Sequence, residues 1–405
     1  MTGSWTRRTL GDVLSVQNGY AFDSKAFGAT GFPLIRIRDL KAGVTTETRY
    51  SAEFDPKYIV SAGDFLIGMD GEFGCYEWKG DDALLNQRVC RLQGFDQALE
   101  ARFLFYGINA HLKAIEEVTG YTTVKHLSSK QILGIEMPFP PHEEQRRIVT
   151  ILDEAFEGIA TAKANAEKNL RNVRELFESQ LESLFAAGVA KWPKHTLEEV
   201  ANIINGYAFK STDFQSTPGI RSIKITNVGV REFVDDASNY LPAAFSQRHS
   251  AVAVPNGSIV LALTRTIIAR GLKVAVVPKD FHGALLNQRV AAIQPHAAEL
   301  ETPFLFAYLS TSRVLNYVKS RVNTLMQPNL SITDLRQLPL PLPALSEQRE
   351  MVAMLNSFDE ESQRLQFVNE RKLSALDELK KSLLHQAFTG ALTAKSTDKQ
   401  VAEVA

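Results

Sequence analysis

The chain has 405 residues, with 45 Lys and Arg against 46 Asp and Glu and a formal net charge of −1. That balance excludes a uniformly basic nucleic-acid coat but leaves local cationic clefts open. Two cysteines, Cys75 and Cys90, cannot build a disulfide framework or a Cys-rich metal centre, and neither a membrane-length apolar run nor a charged-then-apolar leader is present, so a cytoplasmic protein of two or more domains is expected.

The first segment carries Trp5, Thr9-Leu10, Asp12-Val13 and then NGYAF at Asn18 to Phe22. Asn-Gly favours a turn, after which Tyr20 and Phe22 are expected to enter the core, with a Tyr20 contact to a phosphate as the alternative. PLIRIRDL, Pro33 to Leu40, alternates apolar and basic residues, which predicts a strand whose outer face carries Arg36 and Arg38. DFLIGM, Asp64 to Met69, and ALLNQRV, Ala83 to Val89, are further strand candidates, and IGMDGEFG between them has turn chemistry without the Lys-Ser/Thr of a phosphate loop. A helix is expected around Arg102 to Glu116, then a polar loop with Tyr121, Thr122, Thr123 and Lys125, then a Pro-rich hinge at Pro138 to Pro141. From Glu143 to Ala187 apolar residues recur at helical spacing, including Leu152, Phe156, Leu170, Val173 and Phe177, and Gly188 is placed to stop the helix.

The same landmarks then return in order. Trp192, Thr196-Leu197 and Glu199-Val200 precede NGYAF at Asn205 to Phe209, ALLNQRV recurs unchanged at Ala284 to Val290, and PLPALSEQREMVAML echoes PFPPHEEQRRIVTIL. Strands are expected at Ile220 to Val228, Ser258 to Leu263 and Lys273 to Val277, and a helix at Thr302 to Ser320. A second long amphipathic helix follows the hinge at Pro339 to Pro343, with Leu355, Phe358, Leu365, Leu373, Leu376, Leu379 and Leu383 on its apolar face and Gly390 at its end. A self-similar period of about two hundred residues is far beyond the roughly 20 to 50 of solenoid repeats and marks a duplicated domain pair. Each helix of about 45 residues would run roughly 65 Å at ~1.5 Å per residue, and two such apolar seams can pack on each other.

No nucleotide, methyl-donor or amino-methyltransferase motif occurs, and the eight His are scattered rather than set at metal-ligand spacing. The motifs shared by both copies serve a common frame or backbone contacts, whereas any base-reading residues must lie where the copies differ. Ala83 lies 61 positions after Phe22 and Ala284 lies 75 after Phe209, so the second copy is fourteen residues longer there. The variable stretches hold Arg36, Arg38, Asp70, Glu72 and Lys79 in the first copy and Arg221, Lys224, Arg265, Arg270 and Lys273 in the second. The later loop contributes Tyr121, Thr122 and Lys125 against Asn323, Gln327 and Asn329. Arg and Lys suit guanine, Asn and Gln adenine, and acids the cytosine amino group, while each charge taken singly also fits a solvated surface.

Two divergent globular repeats, each opened by NGYAF, closed by a PxPPxxEQ-like hinge and followed by a long helix, resemble the specificity subunit of Type I restriction-modification systems. The resemblance implies an α+β chain with target-recognition domains at residues 1–141 and 189–343. Spacer helices at 142–188 and 344–395 would pair as an antiparallel coiled coil, with a tail at 396–405. It implies a non-catalytic chain that reads an asymmetric bipartite site on double-stranded DNA. Its partners would be two methyltransferase subunits and the restriction/translocase subunits, which would bring S-adenosylmethionine, ATP and Mg. The competing readings are a tandem-repeat assembly scaffold without nucleic-acid binding, disfavoured by the cationic strand faces, and an enzyme with an unrecognised site, disfavoured by the missing motifs.

Overall fold

The computed structural model describes residues 5–119, 125–236, 240–322 and 328–394. It divides into one unit of Met1–Asn165 with Arg371–Ala405 and a second of Ala166–Glu370.

In the first unit the strands are β1 (Thr6–Thr9), β2 (Ser15–Asn18), β3 (Phe27–Gly28), β4 (Phe32–Ile35), β5 (Arg49–Tyr50), β6 (Ile59–Val60), β7 (Phe65–Gly68), β8 (Gly74–Glu77), β9 (Ala83–Leu85), β10 (Val89–Gln93) and β11 (Glu136–Phe139). An antiparallel sheet runs in the order β2-β10-β7-β8, and a second sheet runs β3-β5-β4-β9-β6 with β4 and β9 parallel. β7 lacks alternation because both its faces are covered. Phe65 and Ile67 pack with Leu10, Leu92 and Phe103, while Leu66 on the opposite face packs with Ile35, Trp78 and Leu85. Helix α1 (Ala101–Val118) covers the first face, α2 (Ser129–Leu133) follows it, and β11 returns to pair with β1.

The second unit repeats this plan. Its strands are β12 (Lys194–Thr196), β13 (Ala201–Asn205), β14 (Ile220–Ile223), β15 (Tyr240–Leu241), β16 (Ala253–Val254), β17 (Ile259–Ala262), β18 (Ile267–Ile268), β19 (Gly271–Leu272), β20 (Val274–Val276), β21 (Ala284–Leu286), β22 (Val290–Pro295) and β23 (Pro339–Pro341). The sheets run β13-β22-β17-β20 and β15-β14-β21-β16, again with one parallel pair, β14 and β21. Part of the extra length is the β18-β19 hairpin, in residues 263–273 where the first unit has residues 69–73. The helix expected at Thr302 to Ser320 is two helices, Thr302–Leu309 and Ser312–Arg321. Thr311 interrupts it, because its hydroxyl caps the second piece by accepting the Val314 N–H at 3.5 Å.

The long helices span His142–Val189 and Leu345–Phe388. Within the first unit Ile148, Leu152 and Phe156 share a cluster with Leu383, Ala387 and Phe388, and Lys163 pairs with Asp377, so the segments run antiparallel. Within the second, Leu181 and Phe185 share a cluster with Met351 and Leu355, and Asn169 Nδ2 lies 3.5 Å from Asn369 Oδ1, which is again antiparallel. Two side chains expected in the seam lie outside it: Phe358 is 40% exposed and Leu379 47%. A two-helix seam covers a narrower stripe than a globular core, and residues just off that stripe face solvent. Gly188 does not stop the first long helix. It lies inside it, and a Cβ there would stand 1.9 Å from Trp192 Cζ2, so close packing is the reason for glycine. Gly390, at φ +76°, does occupy the left-handed position after the second helix.

The recurrent Glu-Gln-Arg has a structural cause. Gln145 and Gln348 are 2% and 0% exposed. Gln145 accepts the Glu100 N–H at 2.9 Å and donates to the carbonyls of Ala98 and Pro140 at 3.1 and 2.9 Å. Gln348 accepts from Glu301 at 2.8 Å and donates to Glu299 and Pro343 at 2.8 and 2.9 Å. In each unit one buried amide joins the Pro-rich hinge to the start of the helix that covers the sheet.

Candidate nucleic-acid interface

The two motifs that opened and marked each repeat bind each other. Gly19 N–H donates to Val89 O at 2.9 Å, Tyr20 N–H to Leu85 O at 3.0 Å, and Gln87 N–H to Tyr20 O at 2.7 Å. In the second unit Gly206 donates to Val290 at 3.3 Å, Tyr207 to Leu286 at 2.8 Å, and Gln288 to Tyr207 at 2.9 Å. A Cβ at Gly19 or Gly206 would fall 2.0 Å from the carbonyl oxygen of Asn86 or Asn287, so backbone approach demands glycine at both places. ALLNQRV is accordingly not one strand. Its first three residues form β9 or β21, the Asn-Gln-Arg turns, and its Val begins β10 or β22 in the other sheet. Phe22 and Phe209 enter the core at 5% and 7% exposure, but Tyr20 and Tyr207 do not, at 51% and 48%. The motif's turn leaves the tyrosines at the surface, where Tyr20 stands 5.2 Å from the Tyr58 ring and Tyr207 4.4 Å from that of His249.

Two further segments join this crossing. Met69 N–H donates to Arg88 O at 2.9 Å, Leu127 N–H to Met69 O at 2.7 Å and Gly71 N–H to Lys125 O at 3.0 Å. Their counterparts are Leu263 to Arg289 at 2.8 Å and Leu330 to Leu263 at 2.9 Å. The bridge of Asp70 with His126 is matched by Thr264 with Asn329. Each unit therefore gathers four segments, about NGY, the Asn-Gln-Arg turn, the loop after the central strand and the loop before the short last helix.

The outward chemistry of the two gatherings differs. The Asp70 carboxylate, 11% exposed, pairs with the Arg88 guanidinium and lies 2.7 Å from His126 Nδ1, and the Arg88 and His126 side chains are each 62% exposed. Thr264 and Asn329 occupy the places of Asp70 and His126 in the second unit, so no carboxylate stands at that position beside Arg289. Gly71, at φ +77°, is matched by Arg265 at φ +49°, and Arg88 has φ +70°. A long side chain in the left-handed region is strained and is held there by the surrounding hydrogen bonds.

The structure brings some of the candidate residues here and sets others apart. Arg265 lies in the second gathering, and Arg38 borders a cleft of about 170 Å³ that also includes Asp70, Glu72 and Tyr76. Lys125 contributes its backbone, but its ammonium turns inward to Glu116 O at 2.7 Å, at the C-terminal end of α1. Arg36 and Arg38 are not on a strand face. β4 ends at Ile35, and Asp39 Oδ2 accepts the Arg36 N–H at 2.8 Å to close a helical turn. Lys224 is likewise past the end of its strand, in a turn that Asn227 Oδ1 closes by accepting its N–H at 2.9 Å. The Lys224 ammonium sits 3.6 Å over the Phe214 ring, and burial holds its pKa below the ordinary lysine value. Lys273 donates to Ile225 O, and burial, then Arg265, lowers its pKa too. Arg221 pairs with Asp235 at 3.1 Å, Lys79 is exposed near Gly43, and Arg270 borders a cleft with Glu178 and Glu182. Tyr121, Thr122, Asn323 and Gln327 lie outside the described residues.

Because Arg88 and Arg289 are identical in both copies, sequence reasoning left them to the frame or to backbone contact. Their carbonyls do serve the frame, and the residue bridged beside that crossing is Asp70 in the first unit and Thr264 in the second. Asp70 was legible as an acid of the variable stretch, whereas nothing in the sequence singled out His126.

Among the described residues no group of three or more His, Cys, Asp or Glu could hold a metal ion, and no helix is long and apolar enough to cross a membrane. Cys75 and Cys90 are buried, and burial raises both thiols, Cys90 to about 12, which leaves them poor nucleophiles.

The family described as Type I restriction modification DNA specificity domain matches the chain twice, at residues 3–170 and 190–370. The chain is 26% identical to the Type I restriction enzyme EcoBI specificity subunit of Escherichia coli, over 97% of this chain and 87% of that one. It is 25% identical to the MjaVIII specificity subunit of Methanocaldococcus jannaschii, over 90% and 87%. Among solved structures it is similar, at TM-score 0.71 and 20% identity, to a chain from work on assembly and conformational transition of the type I R-M system, covering 96% of this chain and 98% of that one. The HsdS subunit from Thermoanaerobacter tengcongensis shows TM-score 0.55 and 20% identity, with 96% and 97% covered. These structural likenesses concern the fold.

Proposed function

The chain belongs to the Type I restriction modification DNA specificity family, and on that premise we propose that it supplies sequence choice to a methyltransferase and endonuclease assembly. Each unit reads one half of an asymmetric, bipartite double-stranded DNA site with its four-segment gathering. One observation carries this reading: the gatherings share their backbone frame but present Asp70, Arg88 and His126 in one unit and Thr264, Arg265, Arg289 and Asn329 in the other. Shared backbone with divergent donors and acceptors is what two half-sites of different sequence require.

The chain itself carries out no chemistry in this reading. Two methyltransferase subunits bring S-adenosylmethionine, restriction and translocase subunits bring ATP and Mg, and the assembly works on DNA in the cytoplasm. The near-neutral charge fits a reader whose partners enclose the DNA, since phosphate neutralisation dominates autonomous binding. Exchanging Phe22 to Ala83 for the matching stretch of another such subunit should change one half of the methylated motif and leave the other intact. Methylation mapping of the assembled complex reads this directly. Change in both halves, or in neither, would sink the assignment, as would methyl transfer by the isolated chain.

A further inference from the structure

We propose that Asp70 determines specificity in the first unit by holding Arg88 as a reader of guanine. The inference rests on the DNA-reading function proposed above and goes beyond it by naming the residue pair and the base.

Three features of the cluster support it. First, the carboxylate is 11% exposed while the groups it holds, Arg88 and His126, are each 62% exposed. An ion pair serving stability alone gains little when its cation faces solvent, so this arrangement is better suited to presenting a side chain than to fastening the fold. Second, Arg88 engages Asp70 Oδ2 through Nη1, which leaves its Nε and Nη2 edge to form a fork for the O6 and N7 acceptors of guanine. His126 Nδ1 takes the other carboxylate oxygen, Oδ1, at 2.7 Å, and so restrains rotation of the group that restrains the arginine. Third, the three residues are tied to one another through the backbone: Met69 N–H meets Arg88 O, Leu127 N–H meets Met69 O, and Gly71 N–H meets Lys125 O. The origin of each side chain is fixed, and little ordering remains to be done when DNA arrives.

Electrostatics chooses between base and backbone. Arg88 beside Asp70 presents little net charge, which weakens any attraction to phosphate, but it keeps its directional N–H groups. A neutralised, oriented arginine discriminates among base edges more than it adds affinity. In the second unit Thr264 replaces the carboxylate, so Arg289 is not held in this way.

The test uses the full chain assembled with its methyltransferase partners and S-adenosylmethionine, with methylated positions mapped on a randomised duplex library. Asp70→Ala and Arg88→Lys should relax the same guanine position, raising acceptance of other bases there tenfold or more, with the other half of the motif unchanged. Lysine keeps the charge but cannot offer two parallel N–H groups. Asp70→Asn should discriminate better than Asp70→Ala, because its amide oxygen still accepts from Arg88. If Asp70→Ala does not assemble, Asp70→Asn and Arg88→Lys carry the test unaided. An unchanged motif in Arg88→Lys overturns the proposal, as does a parental motif whose affected half holds only A·T pairs. An even loss across all sequences with a shallower salt dependence would make Arg88 a phosphate contact and overturn it as well. A wild-type complex that methylates without sequence preference would instead remove the DNA-reading function beneath it.

Discussion

At the same place in two copies of one frame, Arg88 stands against a carboxylate and Arg289 beside a threonine position. The backbone bonds that carry the two arginines are nearly the same length, 2.9 Å from Met69 and 2.8 Å from Leu263. A residue repeated identically can therefore have one structural role and two chemical ones, because its side chain is governed by neighbours that have diverged. The contrast extends to the next residue, where glycine in one unit is matched by Arg265 in the other. The second unit therefore carries a second arginine where the first has a glycine.

The equivalence of the frames can be broken most forcefully through the helix seam. Leu152→Ala in the first unit and Leu355→Ala in the second remove buried side chains, 0% and 7% exposed, and each should lower the unfolding free energy by about 2 to 5 kcal/mol in denaturant titrations. Loss in one unit only would mean the seams are not equivalent. Next come the buried amides. Gln145→Ala and Gln348→Ala strip partners from backbone groups of the hinge and the covering helix, at a cost of about 1 to 3 kcal/mol for each group left unpaired. Hydrogen exchange at Glu100 and Glu301 should rise in the respective variants, and protection that persists would show that water replaces the amide.

The chemical difference is sharpened by making the second gathering like the first. Thr264→Asp places a carboxylate beside Arg289, and if that arginine meets phosphate the salt slope of duplex binding should fall by about 0.9. A slope that stays constant would remove Arg289 from the DNA backbone. The smallest effect is expected at Phe358→Ala. At 40% exposure it should change stability by less than about 0.5 kcal/mol, in contrast to Leu355 three residues earlier. A larger loss would return Phe358 to a buried contact.

Much of the fold was legible because its signals are local or repeated. The apolar spacing of residues 143–187 follows the helix that forms at His142–Val189, and the unbroken apolar run at Phe65–Gly68 is a strand covered on both faces. What escaped was decided by particular hydrogen-bond partners, one of them local and the others far along the chain. Arg36 leaves the strand because Asp39 closes a turn, Tyr20 stays outside because its amide is bound to Leu85, and Arg88 is oriented by an aspartate 18 positions away and indirectly by His126.

By itself the sequence determined the duplication and the two long helices, since periodicity and identity in register need no third dimension to be seen. Only the tertiary structure decided which polar residues share a surface. Asp70 and His126 are separated by 56 positions and meet because the loop after β7 and the loop before α2 are hydrogen-bonded at Met69 and Gly71. Charge pairing depends on distance in space, and chain separation carries no record of it until the sheets are assembled.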